Sequence, residues 1–166
     1  KDAGVVCSVP LVGASVAIGV GIALSTKLQG QEKMSIAFFG DGAVEEGIFW
    51  ESLNFASVFK LPMVFVCENN FYATHSPIRK RQPSEKIAPR IANHDIQVYR
   101  VDGNDVAKVH EVTTQAVQHA RTGRPAFIEA ETYRHKEHWG GGDDWHLGYR
   151  SLEEVGRWKE KDPLLE

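Results

Sequence analysis

Apolar positions along the chain alternate between runs with helical spacing and short continuous runs. The stretch Pro10–Gln29 carries almost no charge and predicts one buried helix. After the polar Gly30-Gln31-Glu32-Lys33, the run Met34-Ser35-Ile36-Ala37-Phe38-Phe39 has the length and composition of a fully buried strand, and Gly40-Asp41-Gly42 breaks it. Phe49, Leu53, Ala56 and Phe59 then recur at helical spacing. Glu45 and Glu46 precede them, where the first turn of a helix favours carboxylates. Leu61-Pro62 ends this helix, because the residue before a proline is pushed out of helical geometry.

The same alternation continues. Met63–Cys67 predicts a second buried strand, stopped by Glu68-Asn69-Asn70. Residues 71–95 are polar and interrupted by prolines, with a short helix predicted near Ser84–Ala92. Ile96–Val101 reads as a third strand closed by Asp102-Gly103-Asn104, and Val106, Val109, Val112, Ala116 and Ala120 mark a helix that Gly123 ends. Pro125–Ala130 is a fourth strand. Residues His135–Tyr149 form a Gly- and His-rich loop without periodicity, and Ser151 with Glu154 has capping-box spacing for a last helix. Near-continuous apolar strands alternating with helices predict an α/β domain, a parallel sheet with helices on both faces. Residues 1–166 read as one domain with a flexible loop at about 135–149.

Composition narrows the function classes. The chain has 166 residues, 42% hydrophobic and 25% charged, with a formal net charge of −3 and its signs interspersed. That pattern gives neither a nucleic-acid footprint nor a polybasic membrane anchor. Val5–Leu24 is nearly uncharged, but Pro10, Gly13, Gly19 and Gly21 interrupt it, and the helical part is short for a bilayer. Cys7 and Cys67 are too few for a disulfide framework, and nothing resembles a secretory signal. A reducing compartment follows: the cytoplasm of a bacterium, with the mitochondrial matrix as second choice.

In an open parallel sheet, ligands bind at the carboxyl ends of the strands. Gly40-Asp41-Gly42 and Glu68-Asn69-Asn70 sit at two such ends. A dinucleotide fingerprint would require a third small residue at position 45, where Glu45 stands, and Asp41 would repel a pyrophosphate unless a cation lay between them. Mg²⁺ turns that repulsion into a use. It takes a few hard protein oxygens together with phosphate and water oxygens. Asp41 offers charge, Asn70 a neutral oxygen, and the Asn70–Tyr72 turn a carbonyl. Gly40 and Gly42 permit close backbone approach, and a helix starting near Ala43 would aim amides at a phosphate. His135, His138 and His146 suggest zinc only weakly, since three glycines follow and no cysteine is near. Asp143 and Asp144 read as solvated.

Gly40-Asp41-Gly42 followed at this spacing by Asn69-Asn70 resembles the thiamine-diphosphate signature. The surrounding residues 38–77, the run Arg100-Val101-Asp102-Gly103-Asn104-Asp105 and the run Ile128-Glu129-Ala130-Glu131-Thr132-Tyr133-Arg134 are similar to alpha subunits of 2-oxo-acid dehydrogenases of the pyruvate, branched-chain and acetoin types. The resemblance implies the thiamine-diphosphate-binding fold, thiamine diphosphate and Mg²⁺ as cofactors, and oxidative decarboxylation of a 2-oxo acid with acyl transfer to lipoyl. It makes Asp41, Asn70 and the Tyr72 carbonyl the metal ligands. Gly42 and Ala43 would face the diphosphate, Val12 would lie against the cofactor, and His138 would be the catalytic loop histidine.

The same resemblance implies a beta subunit that supplies an activating Glu, in an alpha2-beta2 assembly, and the lipoyl domain of a core acyltransferase as acceptor. The family's first third, with a Tyr-Arg pair on the diphosphate, is absent before Lys1. Trp139 stands where mitochondrial pyruvate enzymes carry a phosphorylatable Ser, and the loop Trp139–Gly148 is longer than usual. Acetoin cleavage, a non-catalytic assembly domain and a simple nucleotide-binding module remain as alternative readings.

Overall fold

Val16, Val20 and Ala23 share one face of helix α1 (Ala14–Leu28) and are almost completely buried. The computed structural model describes residues 4–165. The α1 helix starts four residues later than the sequence suggests. Gly13 takes the left-handed conformation at φ 80°, and a Cβ placed there would meet Ile48 Cγ2 at 2.8 Å. Only glycine lets the chain turn that tightly against the segment at residues 46–48. No described helix is long and apolar enough to cross a membrane.

Strand β1 (Ser35–Gly40) leads into a 3₁₀ turn, Asp41–Glu45, and then into α2 (Gly47–Val58). The helix predicted from Ala43 therefore begins later. Glu46 is extended at ψ 136° and separates the turn from the helix, so Glu45 and Glu46 do not lie in its first turn. Strand β2 (Met63–Asn69) follows, then the short strands β3 (Tyr72–Ala73) and β4 (Ser76–Pro77), which pair antiparallel as a hairpin that no sequence periodicity announces. Helix α3 (Ala88–Ile91) is a single turn. Strand β5 (Gln97–Asp102), helix α4 (Val106–Arg121), strand β6 (Ala126–Glu131) and helix α5 (Leu152–Lys159) complete the chain.

The main sheet has the order β1-β2-β6-β5 and all three of its pairings are parallel. Two cores cover its faces. Phe39, Phe65 and Phe127 meet α1 and Phe49 of α2 on one side, whereas Val64, Ile128 and Val101 meet Ala116 and Ala120 of α4 on the other. Successive β6 residues point into opposite cores, as strand geometry requires. The α/β architecture expected from the alternation is present.

Strand β1 departs from expectation in one respect. The apolar run predicts burial on both faces, but its residues alternate, with Ala37 and Phe39 inside and Ile36 and Phe38 exposed at 42% and 60%. It is an edge strand, paired with β2 alone among the described strands, and α4 packs chiefly against β5, β6 and β2. The free Cys67 is fully buried in β2; burial, then the nearby carboxylates of Asp41, Glu129 and Glu68, push its thiol pKa well above the ordinary value.

Candidate functional site

Because the main strands run parallel, their carboxyl ends gather along one rim. Gly40 pairs with Glu68, so Asp41 stands one residue past the end of the β1–β2 ladder and Asn70 two residues past Glu68 on the neighbouring strand. The loops that follow are packed together. A Cβ at Gly42 would lie 3.0 Å from Ala73 Cβ, so the 3₁₀ turn and the β3–β4 hairpin touch where only a glycine leaves room. Two loops far apart in sequence thus form one surface.

The adjacent asparagines have separate tasks. Asn69 is fully buried: its amide donates to Glu85 O at 3.0 Å and Glu129 Oε1 at 2.8 Å, and its oxygen accepts from Phe71 N. It is scaffold. Asn70 is only half-buried, and its Oδ1 accepts Tyr72 N–H at 3.0 Å, leaving one lone pair on that oxygen. Ile78 N–H donates to Phe71 O at 2.7 Å, which makes Tyr72 and Pro77 a non-hydrogen-bonded pair of the hairpin, so the Tyr72 carbonyl points away from the partner strand. The backbone at Phe71 turns through φ 68° to present these groups. The Tyr72 phenol donates to Glu154 at 2.8 Å; burial and that carboxylate push its pKa above the ordinary value, so it remains a donor.

Asp41 is 1% exposed. Burial pushes its carboxyl above the usual carboxylate range, although the Arg81 guanidinium 2.5 Å away pulls in the opposite direction. Arg81 is engaged on every nitrogen. Nη2 pairs with Asp41, Nη1 with Glu45, and Nε donates to Ser76 O at 3.0 Å. Gln82 also donates to Glu45, and Arg90 to Gln82. The sequence gives little sign of this arrangement, because nothing in the polar stretch 71–95 separates Arg81 from its neighbours Arg79 and Lys80. Arg79 and Lys80 are indeed exposed, but Arg81 lies at the end of the 3₁₀ turn Ile78–Lys80 and turns inward.

The remaining expected site residues fall as follows. Ala43 buries its methyl in the core, so only its backbone can face a ligand. Val12 is 61% exposed, beside Gly13, whose backbone lies against Glu46 and Ile48. His138 is exposed, with its ring 5.8 Å from that of Trp139. A succession of ring contacts continues from Trp139 to His75 at 5.1 Å, from His75 to Tyr149 at 4.7 Å and from Tyr149 to Tyr72 at 5.5 Å. The His138 loop is thereby laid against the hairpin that carries Tyr72. His135 and His146 instead face Tyr133 and Trp145. Among the described residues, no three or more His, Cys, Asp or Glu gather as a metal cluster.

One loop residue corrects the sequence reading. Asp143 is exposed, but Asp144 is 1% exposed and holds Arg134, Arg150 and the Tyr149 hydroxyl, the last at 2.5 Å. Burial pushes its carboxyl up, but hydrogen bonds from Tyr149, Arg150 and Arg134 outweigh that and hold its pKa down to about 2. Arg134 also donates to Thr74 O at 2.8 Å, which ties the loop to the hairpin. Two consecutive aspartates carry no signal that separates them; the arginines that do lie six and ten residues away.

The sequence model of the family described as "Dehydrogenase E1 component" matches residues 1–166. The chain belongs to this family. It is 36% identical over 156 residues to the pyruvate dehydrogenase E1 component subunit alpha of Rhizobium meliloti, covering 93% of this chain and 44% of that protein. The corresponding Bacillus subtilis and Bacillus cereus subunits are 36% and 35% identical, again over 93% of this chain and 42% of theirs. This dehydrogenase E1 component chain therefore spans under half the length of these curated relatives. Its matched region contains the Asp41 turn, the Asn70–Tyr72 hairpin and the His138 loop.

Proposed function

We propose that this chain binds thiamine diphosphate and Mg²⁺ as the alpha-subunit half of a 2-oxo-acid dehydrogenase. The observation that carries the reading is the packing of the Asp41 turn on the Asn70–Tyr72 hairpin at the ends of two neighbouring parallel strands. The donor set fits the metal. One carboxylate, one carboxamide oxygen and one carbonyl are hard oxygens, and they leave coordination positions for phosphate and water. The Arg81 guanidinium on Asp41 shows that this carboxylate already holds a cation.

Thiamine diphosphate, when bound, supplies the electron sink for loss of CO₂ from a 2-oxo acid. The residues of this chain position it. Asp41, Asn70 and the Tyr72 carbonyl hold the metal, Gly42 and Ala43 present backbone to the diphosphate, and exposed Val12 offers an apolar surface to the cofactor. His138 would bring its imidazole to the diphosphate; it sits on the loop that ring contacts through Trp139, His75 and Tyr149 lay against the hairpin.

Several acids near the rim are engaged within the chain: Asp41 and Glu45 hold Arg81, Glu129 holds α3, and Glu131 pairs with Arg100. Following the family resemblance, the carboxylate that activates the cofactor is assigned to a beta subunit, and the acyl acceptor to a lipoyl domain, in a cytoplasmic alpha2-beta2 enzyme. The isolated 166-residue chain is expected to decarboxylate no 2-oxo acid. The same sequence, carried in a subunit of its relatives' full length and combined with a beta subunit, is expected to do so in a ferricyanide-coupled assay. Turnover by the isolated chain, free of contaminating enzyme, would overturn the half-site reading.

A further inference from the structure

Resting on that reading, we infer that Arg81 is a resident counter-cation for Asp41 that yields the carboxylate to the metal and leaves its freed Nη2 edge in place for the diphosphate. The pair is far from an ordinary surface bridge: the two side chains are 11% and 1% exposed. A carboxylate buried to this degree needs a cation at all times, since leaving it alone costs more than the pair itself gains. In the cofactor-free chain the guanidinium fills that need.

Arg81 Nη2 occupies Asp41 Oδ2, and its positive charge opposes a second cation on the same carboxylate. Release need not free the whole side chain, because Nη1 stays on Glu45 and Nε stays on the Ser76 carbonyl. The outcome is a guanidinium held at the rim with one unpaired N–H edge. Such an edge matches a phosphate oxygen, which accepts charge-assisted hydrogen bonds in this geometry. Arg81 thus opposes the metal alone and favours metal and diphosphate together. It couples two binding events through one side chain.

The test compares Arg81→Gln and Arg81→Lys with the unaltered chain and with Asp41→Asn. Mn²⁺ alone is titrated by electron paramagnetic resonance, and thiamine diphosphate at saturating Mn²⁺ by calorimetry. Removing the guanidinium should tighten Mn²⁺ alone by about tenfold and weaken the diphosphate by a similar factor, the worth of one charge-assisted hydrogen bond. Arg81→Lys, which keeps the charge without the fork, should lie between. A second readout needs no variant: the ¹⁵Nη resonances of Arg81 should shift when Mg²⁺ and the diphosphate are added together.

Asp41-dependent Mn²⁺ binding that Arg81→Gln leaves unchanged or weakens would overturn this inference and spare the proposed function. A stationary Arg81 resonance in a chain that does bind the cofactor would do the same. If the unaltered chain and Asp41→Asn titrate alike, the metal site itself fails, and the role of Arg81 falls with it.

Discussion

Replacing Glu129 by alanine is expected to destabilise the chain by about 3–5 kcal/mol, the cost of breaking a buried charged interaction. Glu129 is fully buried in β6 and its carboxylate accepts from Ile87 N, Ala88 N at 2.8 Å and Asn69 Nδ2 at 2.8 Å. Those donors fix the start of α3 and the end of β2. With the carboxylate gone, Ile87 N and Ala88 N lose this acceptor and Asn69 Nδ2 keeps only Glu85 O, each lost bond costing about 1–3 kcal/mol before relaxation. A typical domain has only about 5–15 kcal/mol in total. Urea unfolding followed by circular dichroism measures the loss. Glu129→Gln keeps one acceptor oxygen and should lose less, and an alanine variant with an unchanged midpoint would contradict this assignment.

Asp144→Ala should have an effect of similar size, but centred on the loop. It would leave Arg150, with its side chain 1% exposed, and the half-buried Arg134 without their carboxylate, and the Tyr149 hydroxyl with only Arg134 as partner. Hydrogen exchange should rise first in residues 135–150 and in the β3–β4 hairpin, which Arg134 ties to the loop. The pH dependence has a definite sign. Asp144 is held at about 2, below its ordinary value of 3.8, so its contribution is complete above pH 4. It should disappear as pH falls from about 4 towards 2, where the carboxylate protonates in the folded chain as well. Acid-unfolding curves for the unaltered chain and Asp144→Asn should converge over that interval; a difference that persists at pH 2 would rule out the titrating carboxylate as its source.

Much of the fold was legible because burial writes itself into periodicity. The β2 and β6 strands are covered on both faces and appear as unbroken apolar runs, and α4 shows its inward stripe at Ala116 and Ala120. The same logic misjudged β1. An apolar run looks alike whether its second face meets a helix or lies at an edge, as Ile36 and Phe38 do. The placement of Asp41 and Asn70 just past the ends of neighbouring strands could be foreseen, because the ends of the apolar runs fix where those residues fall.

What stayed hidden depends on partners distant in sequence. Arg81 sits in a basic triplet, and only its position after the hairpin turns it toward Asp41. Asp144 differs from Asp143 only in what folds over it. Glu129 looked like one more residue of a family-like run, yet it is the cap of α3. Ser151 behaved as expected, with its Oγ accepting Glu154 N–H at 3.1 Å. The Glu154 carboxylate, however, turns to Tyr72 and links α5 to the hairpin.

The central claim is that a metal ion joins Asp41 and Asn70 to a diphosphate. The most direct measurement is the thermal stability of the chain with thiamine diphosphate, in Mg²⁺ and in EDTA. With Mg²⁺ and cofactor at about a hundredfold excess over Kd, stability should rise by about 2.7 kcal/mol. In EDTA the same cofactor should leave the melting temperature almost unchanged, as should both ligands together for Asp41→Ala. Equal stabilisation with and without the metal would contradict the account.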